Sequence, residues 1–254
     1  MSINPNCKID VVSIDHIDVL IIDDFLADPM EMRKFAIAAH GKAPLRRQAP
    51  KAPVQRRKKG PVDEIWMALE IFDNKFPGVR YAVAEQIDVN IGKRIRQHFD
   101  LPDENQGIIQ ARPPFFHSVY GLPRFLPHVD TGHISSFLYL NSPQLCKGGT
   151  GIYRHVPTNA IHADQTDTTL DWLAQKPLEK NLTESTEEWK LELMVEMKFN
   201  RLVAFNSSVI HKIYWPDEEQ PFKQDIRESR LTLNNFFYYA ETKDGEKVDN
   251  SSQG

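Results

Sequence analysis

Two residues of metal-binding type stand two positions apart in Pro127-His128-Val129-Asp130. On an extended strand the side chains of i and i+2 project from the same face, so the imidazole of His128 and the carboxylate of Asp130 would converge on one point. A second histidine, His211, follows the strand-like run Leu202-Val203-Ala204-Phe205 and the turn Asn206-Ser207-Ser208. Two neutral imidazoles and one carboxylate on one face of an ion leave three positions open, which suits iron(II), a bidentate co-substrate and dioxygen. The tripeptide alone defines nothing, because such residue types meet by chance in many chains and a lone histidine is more often structural. The other histidines offer less. His133 falls on the opposite strand parity from His128, and His117, His155 and His162 have no partner at ligand spacing.

The elements around these residues divide the chain into two halves. Residues 19–22 read as a strand, followed by Asp28-Pro29-x-Glu31, where Asp28 caps a helix, Pro29 occupies its first turn and Glu31 completes a capping box, with Gly41 as the stop. Residues 64–72 and 80–99 place apolar residues at helical spacing (Ile65, Leu69, Phe72; Val83, Ile87, Ile91, Ile95), which predicts two helices buttressing a sheet. From about Gly107 the pattern changes to short aromatic and β-branched runs at 135–140, 151–153, 201–205 and 231–239. The fold class expected is mainly β with flanking helices. Residues 158–188 form a polar insert with weak helical signals at 170–173 and 189–193, of the length usual for a lid or substrate loop. Residues 1–240 are read as one domain, and 241–254 as a hydrophilic tail.

Composition narrows the function classes. A chain of 254 residues, 41% hydrophobic, can bury one large core. No stretch approaches the length needed to span a bilayer and no leader is evident at residues 1–10, so a cytoplasmic location without membrane partners is expected. Cys7 and Cys146 are too few for a disulfide framework and too isolated for a zinc site. The net charge of −4 hides an asymmetry, since residues 42–59 hold eight basic side chains and no acidic one, while 164–196 is acidic. That basic run has several prolines and no interleaved aromatics, so it is read as a solvated loop rather than a nucleic-acid site.

Further motifs stand in order behind the histidine-aspartate pair: Leu138-Tyr139-Leu140-Asn141, then Gly148-Gly149-Thr150-Gly151-Ile152-Tyr153, then the strand 201–205 before His211, then Arg230-Leu231-Thr232-Leu233. Taken together, residues 107–240 resemble the iron(II)- and 2-oxoglutarate-dependent oxygenase superfamily, especially its prolyl-hydroxylase-like branch. The sequence also resembles an uncharacterised bacterial group encoded beside flavin-dependent tryptophan halogenases. The resemblance implies a double-stranded β-helix (jelly-roll) core over 107–240, with residues 1–106 supplying the first strand and helices packed on its major sheet. It implies His128, Asp130 and His211 as ligands of Fe(II). It also implies 2-oxoglutarate as co-substrate, its distal carboxylate held by Arg230 and Thr232 with a phenol from Tyr139, or more weakly Tyr120. An arginine offers a bidentate fork to such a carboxylate. The interval of nineteen positions between His211 and Arg230 exceeds the family's usual one, so an enlarged loop over 214–225 is required and Arg227 is an alternative anchor.

These readings imply a dioxygenase that hydroxylates a peptidyl side chain or an amino-acid-like small molecule, since iron halogenases of the superfamily leave the Asp130 position empty for chloride. A homodimer is compatible with the same residues. Two readings of other classes stand beside it: a metal-binding or interaction module on the same barrel that has lost turnover, and a cupin-like barrel that uses the metal without an oxo acid.

Overall fold

The strand expected at 19–22 is one arm of a hairpin, in which β1 (Lys8–Ile14) pairs antiparallel with β2 (Ile17–Asp23). Its two-residue turn places Asp15 and His16 at φ of 44° and 68°, the left-handed geometry that matches the twist of paired strands. In this computed structural model of the chain the described residues are 2–42, 45–47, 65–71, 78–83, 95, 98–99, 107–111, 114–121, 126–163, 182–216 and 222–241. The helix α1 (Pro29–Lys42) begins as its sequence dictates, with the Glu31 amide donating to the Asp28 carboxylate at 2.9 Å, and runs through Gly41.

Two sheets carry the remaining order. The larger joins β1 and β2 to β11 (Leu202–Asn206), β8 (Ile134–Tyr139), β13 (Arg230–Glu241), β7 (Phe115–Val119), β5 (Gly78–Val83), β4 (Ile65–Ile71) and β3 (Leu45–Arg47) in that sequence, and β6 (Gly107–Ala111) pairs with the far end of β13. The smaller has the order β10 (Trp189–Glu196), β9 (Gly149–His155), β12 (His211–Tyr214). Among the described residues every pairing of named strands is antiparallel except β3 with β4. The chain is therefore mainly β, with α1 the one α-helix fully described.

Three helical expectations are corrected. The stretch predicted as a helix at 64–72 is the strand β4. The stretch predicted over 80–99 begins instead in the strand β5, although Ile95 is helical, and residues 84–94 lie outside the described residues. The weak signal at 189–193 is the strand β10. Most of the basic run 42–59, the 164–181 portion of the insert and the tail after residue 241 also lie outside the described residues.

The sheet alternation sorts side chains into two cores. Leu20, Ile22, Phe116, Leu138, Leu231 and Leu233 point to one face of the larger sheet, where Met32, Ala36 and Ala39 of α1 cover them. Each fully buried leucine, isoleucine or phenylalanine there contributes about 1.5–3 kcal/mol. From the opposite face Val119, Phe137, Tyr139, Val203 and Phe205 meet Ile152 and Val195 of the smaller sheet. The space between the sheets is where the site lies.

One surface interaction ties the entry of β11 to β2. Arg201 grips Asp23 with Nε at 2.6 Å from Oδ1 and a terminal nitrogen at 3.0 Å from Oδ2, and Lys198 adds a bond at 2.8 Å. The Arg201 hydrogen bond outweighs partial burial and lowers the Asp23 carboxyl to about 2. Because the folded value is depressed below the ordinary 3.8, the stabilisation is present above that pH and lost as pH falls through about 2. Asp23→Asn is expected to cost about 1 kcal/mol at pH 7 after screening by solvent. The gap to wild type in urea unfolding should narrow as pH falls below 3.8. A gap independent of pH over that range would show that the carboxylate's charge is not the cause.

Candidate metal centre

His128 and His211 are joined by their own backbones before their side chains meet. The His128 amide donates to the His211 carbonyl at 2.9 Å and the His211 amide returns the bond at 2.8 Å, so the 126–130 segment extends the smaller sheet beyond β12. Asp130 is fixed by its amide, which donates to the Ser207 carbonyl at 2.9 Å in the turn that the sequence places before His211. The result brings the three predicted residues together: the ligand atoms of His128, Asp130 and His211 all lie within 4.8 Å of one another and could hold a metal ion.

Protonation follows from this geometry. His211 Nδ1 sits 2.9 Å from the Val209 carbonyl, a contact that orients the ring so that Nε2 points into the cavity. That Nε2 faces Asp130 Oδ2 at 3.1 Å, and His128 Nε2 lies 3.9 Å from Asp130 Oδ1. Burial, aided by repulsion from His211, pushes the His128 imidazole down to about 3, so it is neutral at ordinary pH. Burial alone would raise the Asp130 carboxyl, but His211, His128 and a Ser135 hydrogen bond more than offset this and lower it. A carboxylate oxygen and two imidazole nitrogens thus converge in a buried space, and Asp130 Oδ2 has no hydrogen-bond partner among the described residues. A cation at their centre satisfies all three, and two nitrogens with one oxygen suit a divalent transition metal.

The same cavity reaches the predicted co-substrate arginine. It is lined by His128, Asp130, His211, Phe137, Thr150 and Arg230, among others. Arg230 is 3% exposed, its Nε has no hydrogen-bond partner among the described residues, and its guanidinium carbon lies 5.3 Å from the centre of the Tyr139 ring. Burial lowers its pKa, with Tyr139 opposing. A buried guanidinium with Nε unpaired is costly unless a ligand supplies an acceptor.

The other expected groups are placed differently. Tyr139 is fully buried with its hydroxyl 2.6 Å from that of Thr150, and Thr232 donates to Asn234 at 2.6 Å while accepting from Arg230 at 3.5 Å. Neither lines the cavity; both stand behind groups that do, Tyr139 behind Thr150 and Arg230, Thr232 behind Asn234. Tyr120, just past β7, packs between the two cores away from the cavity. Arg227 is paired with Asp225 at 3.4 Å with its side chain 68% exposed, so of the two expected anchors it is Arg230 that lines the cavity. Within the long interval before Arg230, Trp215 and Phe222 bring their rings to 4.1 Å in the core between the sheets and Ile226 enters the core under α1, while residues 217–221 lie outside the described residues.

Asn141 fixes the start of β13 from both sides of Arg230. Its amide nitrogen donates to the Ser229 carbonyl at 2.7 Å and its oxygen accepts from the Leu231 amide at 2.9 Å. Asn141→Ala orphans two buried backbone groups and is expected to cost roughly 2 kcal/mol in unfolding free energy. It should also weaken whatever anion Arg230 holds. A variant as stable as wild type would show that water replaces both bonds.

Sequence reasoning did not find Arg80, His117, Asn234 or Lys212, which also line the cavity. Arg80 was hidden by the helical reading of its strand, although Val79-Arg80-Tyr81-Ala82-Val83 alternates as a strand does. His117 gave no signal by ligand spacing, and it faces the cavity from β7.

A mainly β protein with two histidines and one carboxylate buried between its sheets is the class that fold and site define. Residues 70–237 match the family of unknown function DUF6445, and the chain belongs to that family. No curated protein matches it. Among the described residues no helix is long and apolar enough to cross a membrane.

Proposed function

We propose that the protein is an iron(II)- and 2-oxoglutarate-dependent dioxygenase, a hydroxylase acting on a peptidyl side chain or an amino-acid-like small molecule. The observation that carries this reading is the convergence of His128, Asp130 and His211 in a cavity that also holds the buried guanidinium of Arg230. Two facing sheets with the ligands projecting between them are the arrangement expected of a double-stranded β-helix. When bound, iron(II) with 2-oxoglutarate and dioxygen supplies the oxidising power that converts a C–H bond to C–OH while releasing succinate and carbon dioxide.

The chain's own residues account for binding and shielding. His128, Asp130 and His211 offer three donors from one side, which leaves the positions facing the cavity for exchangeable ligands. Arg230 offers a forked donor to a carboxylate whose other end reaches the metal, and Tyr139 beneath the guanidinium fixes its plane. Phe137 and Phe236 line the same space and exclude water from it. Asp130 fills the third ligand position, which favours hydroxylation over halogen transfer.

The test is succinate release by the full chain with iron(II), 2-oxoglutarate and air. Expected are slow uncoupled release, its abolition by a chelator, and thermal stabilisation by 2-oxoglutarate when Mn(II) replaces iron. Stabilisation without succinate release under any substrate pool would point to a module that binds without turnover. Metal binding with no response to 2-oxoglutarate would favour a cupin-like use of the metal.

A further inference from the structure

The cavity holds a second guanidinium that the proposed reaction does not use. Arg80 projects from β5, and the register Arg80–His117, His117–Thr232, Thr232–Tyr139 sets these four residues in one row across the face that looks into the cavity. In the strand order β8-β13-β7-β5, Arg80 and His117 line the cavity from β5 and β7, while Arg230 lines it from β13. Burial lowers the pKa of both arginines, but Asp130 opposes it at Arg80, which in turn acts on His128, whereas Tyr139 opposes it at Arg230.

An aromatic wall connects Arg80 with the metal ligands. Its guanidinium carbon lies 5.2 Å from the centre of the Phe115 ring, Phe115 stacks on Phe236 at 5.7 Å, Phe236 meets Phe137 edge-on at 6.4 Å, and Phe137 lies 5.7 Å from the His211 ring. A ligand along this wall would have apolar contact for its body, a cation at one end and the metal ligands at the other.

Of the three cavity cations among the described residues, Lys212 donates to the Ile213 carbonyl at 3.1 Å, and the two arginines divide between the ligands. 2-Oxoglutarate has two carboxylates; in the proposed function one chelates with the 2-oxo group and the other takes Arg230, so none remains for Arg80. A guanidinium carries five N–H donors, so Arg80 can take a ligand carboxylate in addition to the contacts it already makes.

We propose that Arg80 is the anion-recognising residue of the primary-substrate subsite, and that the substrate is a carboxylate-bearing small molecule with an apolar or aromatic body lying on Phe236 and Phe137. This rests on the oxygenase reading for the assignment of Arg230 to the co-substrate. His117 and Asn234 line the same space and are the polar side chains placed to orient the rest of that molecule.

The test uses benzoate and benzamide, equal in shape and different in charge, as probes of the full chain by saturation-transfer NMR. Benzoate is expected to bind about tenfold more tightly than benzamide, as one charge-assisted hydrogen-bonded pair implies. Mn(II) bound with 2-oxoglutarate should then broaden the benzoate ring protons. Arg80→Gln is expected to bring benzoate down to the benzamide level, and Arg80→Lys to retain part of the preference. Equal binding of the probes, absence of benzoate binding, or a preference that survives Arg80→Gln overturns the proposal. So does a loss of 2-oxoglutarate affinity in Arg80→Gln as large as the loss for benzoate, since Arg80 would then serve the co-substrate. A benzoate preference that depends on Arg80 in a protein indifferent to 2-oxoglutarate would sink the oxygenase reading and leave the anion subsite standing.

Discussion

Asp130→Ala is expected to weaken Fe(II) or Mn(II) binding at least about 100-fold, the upper range seen when even an outer-shell partner is lost, while the protein stays folded. The reason for the second half lies in the apo site. Asp130 lines the cavity and belongs to neither core cluster, so removing its carboxylate leaves the packing on both faces of the larger sheet intact. The attraction to His211 and His128 that is lost is partly offset by relief of the carboxylate's desolvation. Apo stability should therefore stay within about 1 kcal/mol of wild type. If the pair were instead a structural salt bridge to a protonated His211, removing Asp130 would cost about 3–5 kcal/mol. Calorimetric titration with Mn(II), beside urea unfolding without metal, reads both quantities. Unfolding of Asp130→Ala with little change in metal affinity would remove the metal centre from the account.

The centre was legible because its information is local. His128 and Asp130 share a strand face by spacing alone, His211 follows a turn whose Ser207 carbonyl holds the Asp130 amide, and Arg230 opens a strand of clear β character. The rest was not legible because it depends on pairing between distant strands. Residues 64–72 carry apolar residues at helical spacing, and they form a strand because β5 pairs alongside them, a tertiary effect that overrides local preference. Misreading that region removed Arg80 from consideration, since on a helix it would not have faced His117. The strand β10 is a different failure. Trp189, Leu191, Leu193 and Val195 alternate as a strand requires, and the weak helical reading overlooked that period. The close approach of backbones at Gly149, where an added Cβ would lie 1.9 Å from the Val195 carbonyl, is the physical reason for part of the Gly148-Gly149 motif. The motif was visible, but its β10 neighbour was not. The family resemblance implies direct contacts from Tyr139 and Thr232 to a carboxylate. Their hydroxyls are instead turned to Thr150 and Asn234, so they position the cavity wall.

Arg230→Ala should lower 2-oxoglutarate affinity at least about 100-fold, because a buried bidentate pair combines two charge-assisted hydrogen bonds of roughly 1.5–3 kcal/mol each. The direction of the accompanying stability change separates a binding arginine from a structural one. Without ligand the Arg230 guanidinium is 3% exposed with Nε unsatisfied, so the apo protein bears its desolvation cost. Arg230→Met, which keeps the apolar stem and discards the charge, is therefore expected to match or exceed the apo Tm of wild type. Wild type should gain about 2.7 kcal/mol at 2-oxoglutarate concentrations one hundred times Kd with Mn(II) present, and both variants should gain almost nothing. Arg230→Lys keeps the charge as a point and loses the fork, so about tenfold of the affinity should be lost. If Arg230→Met were strongly destabilised without ligand, the guanidinium would be bracing the β13 start together with Asn141, and its proposed role toward a dicarboxylate would fail. If the apo variant is stable and 2-oxoglutarate stabilises it as much as wild type, the metal centre operates without this co-substrate. A stable apo variant that has lost the response is the result expected of an arginine kept charged in the interior for an anion that arrives with the reaction.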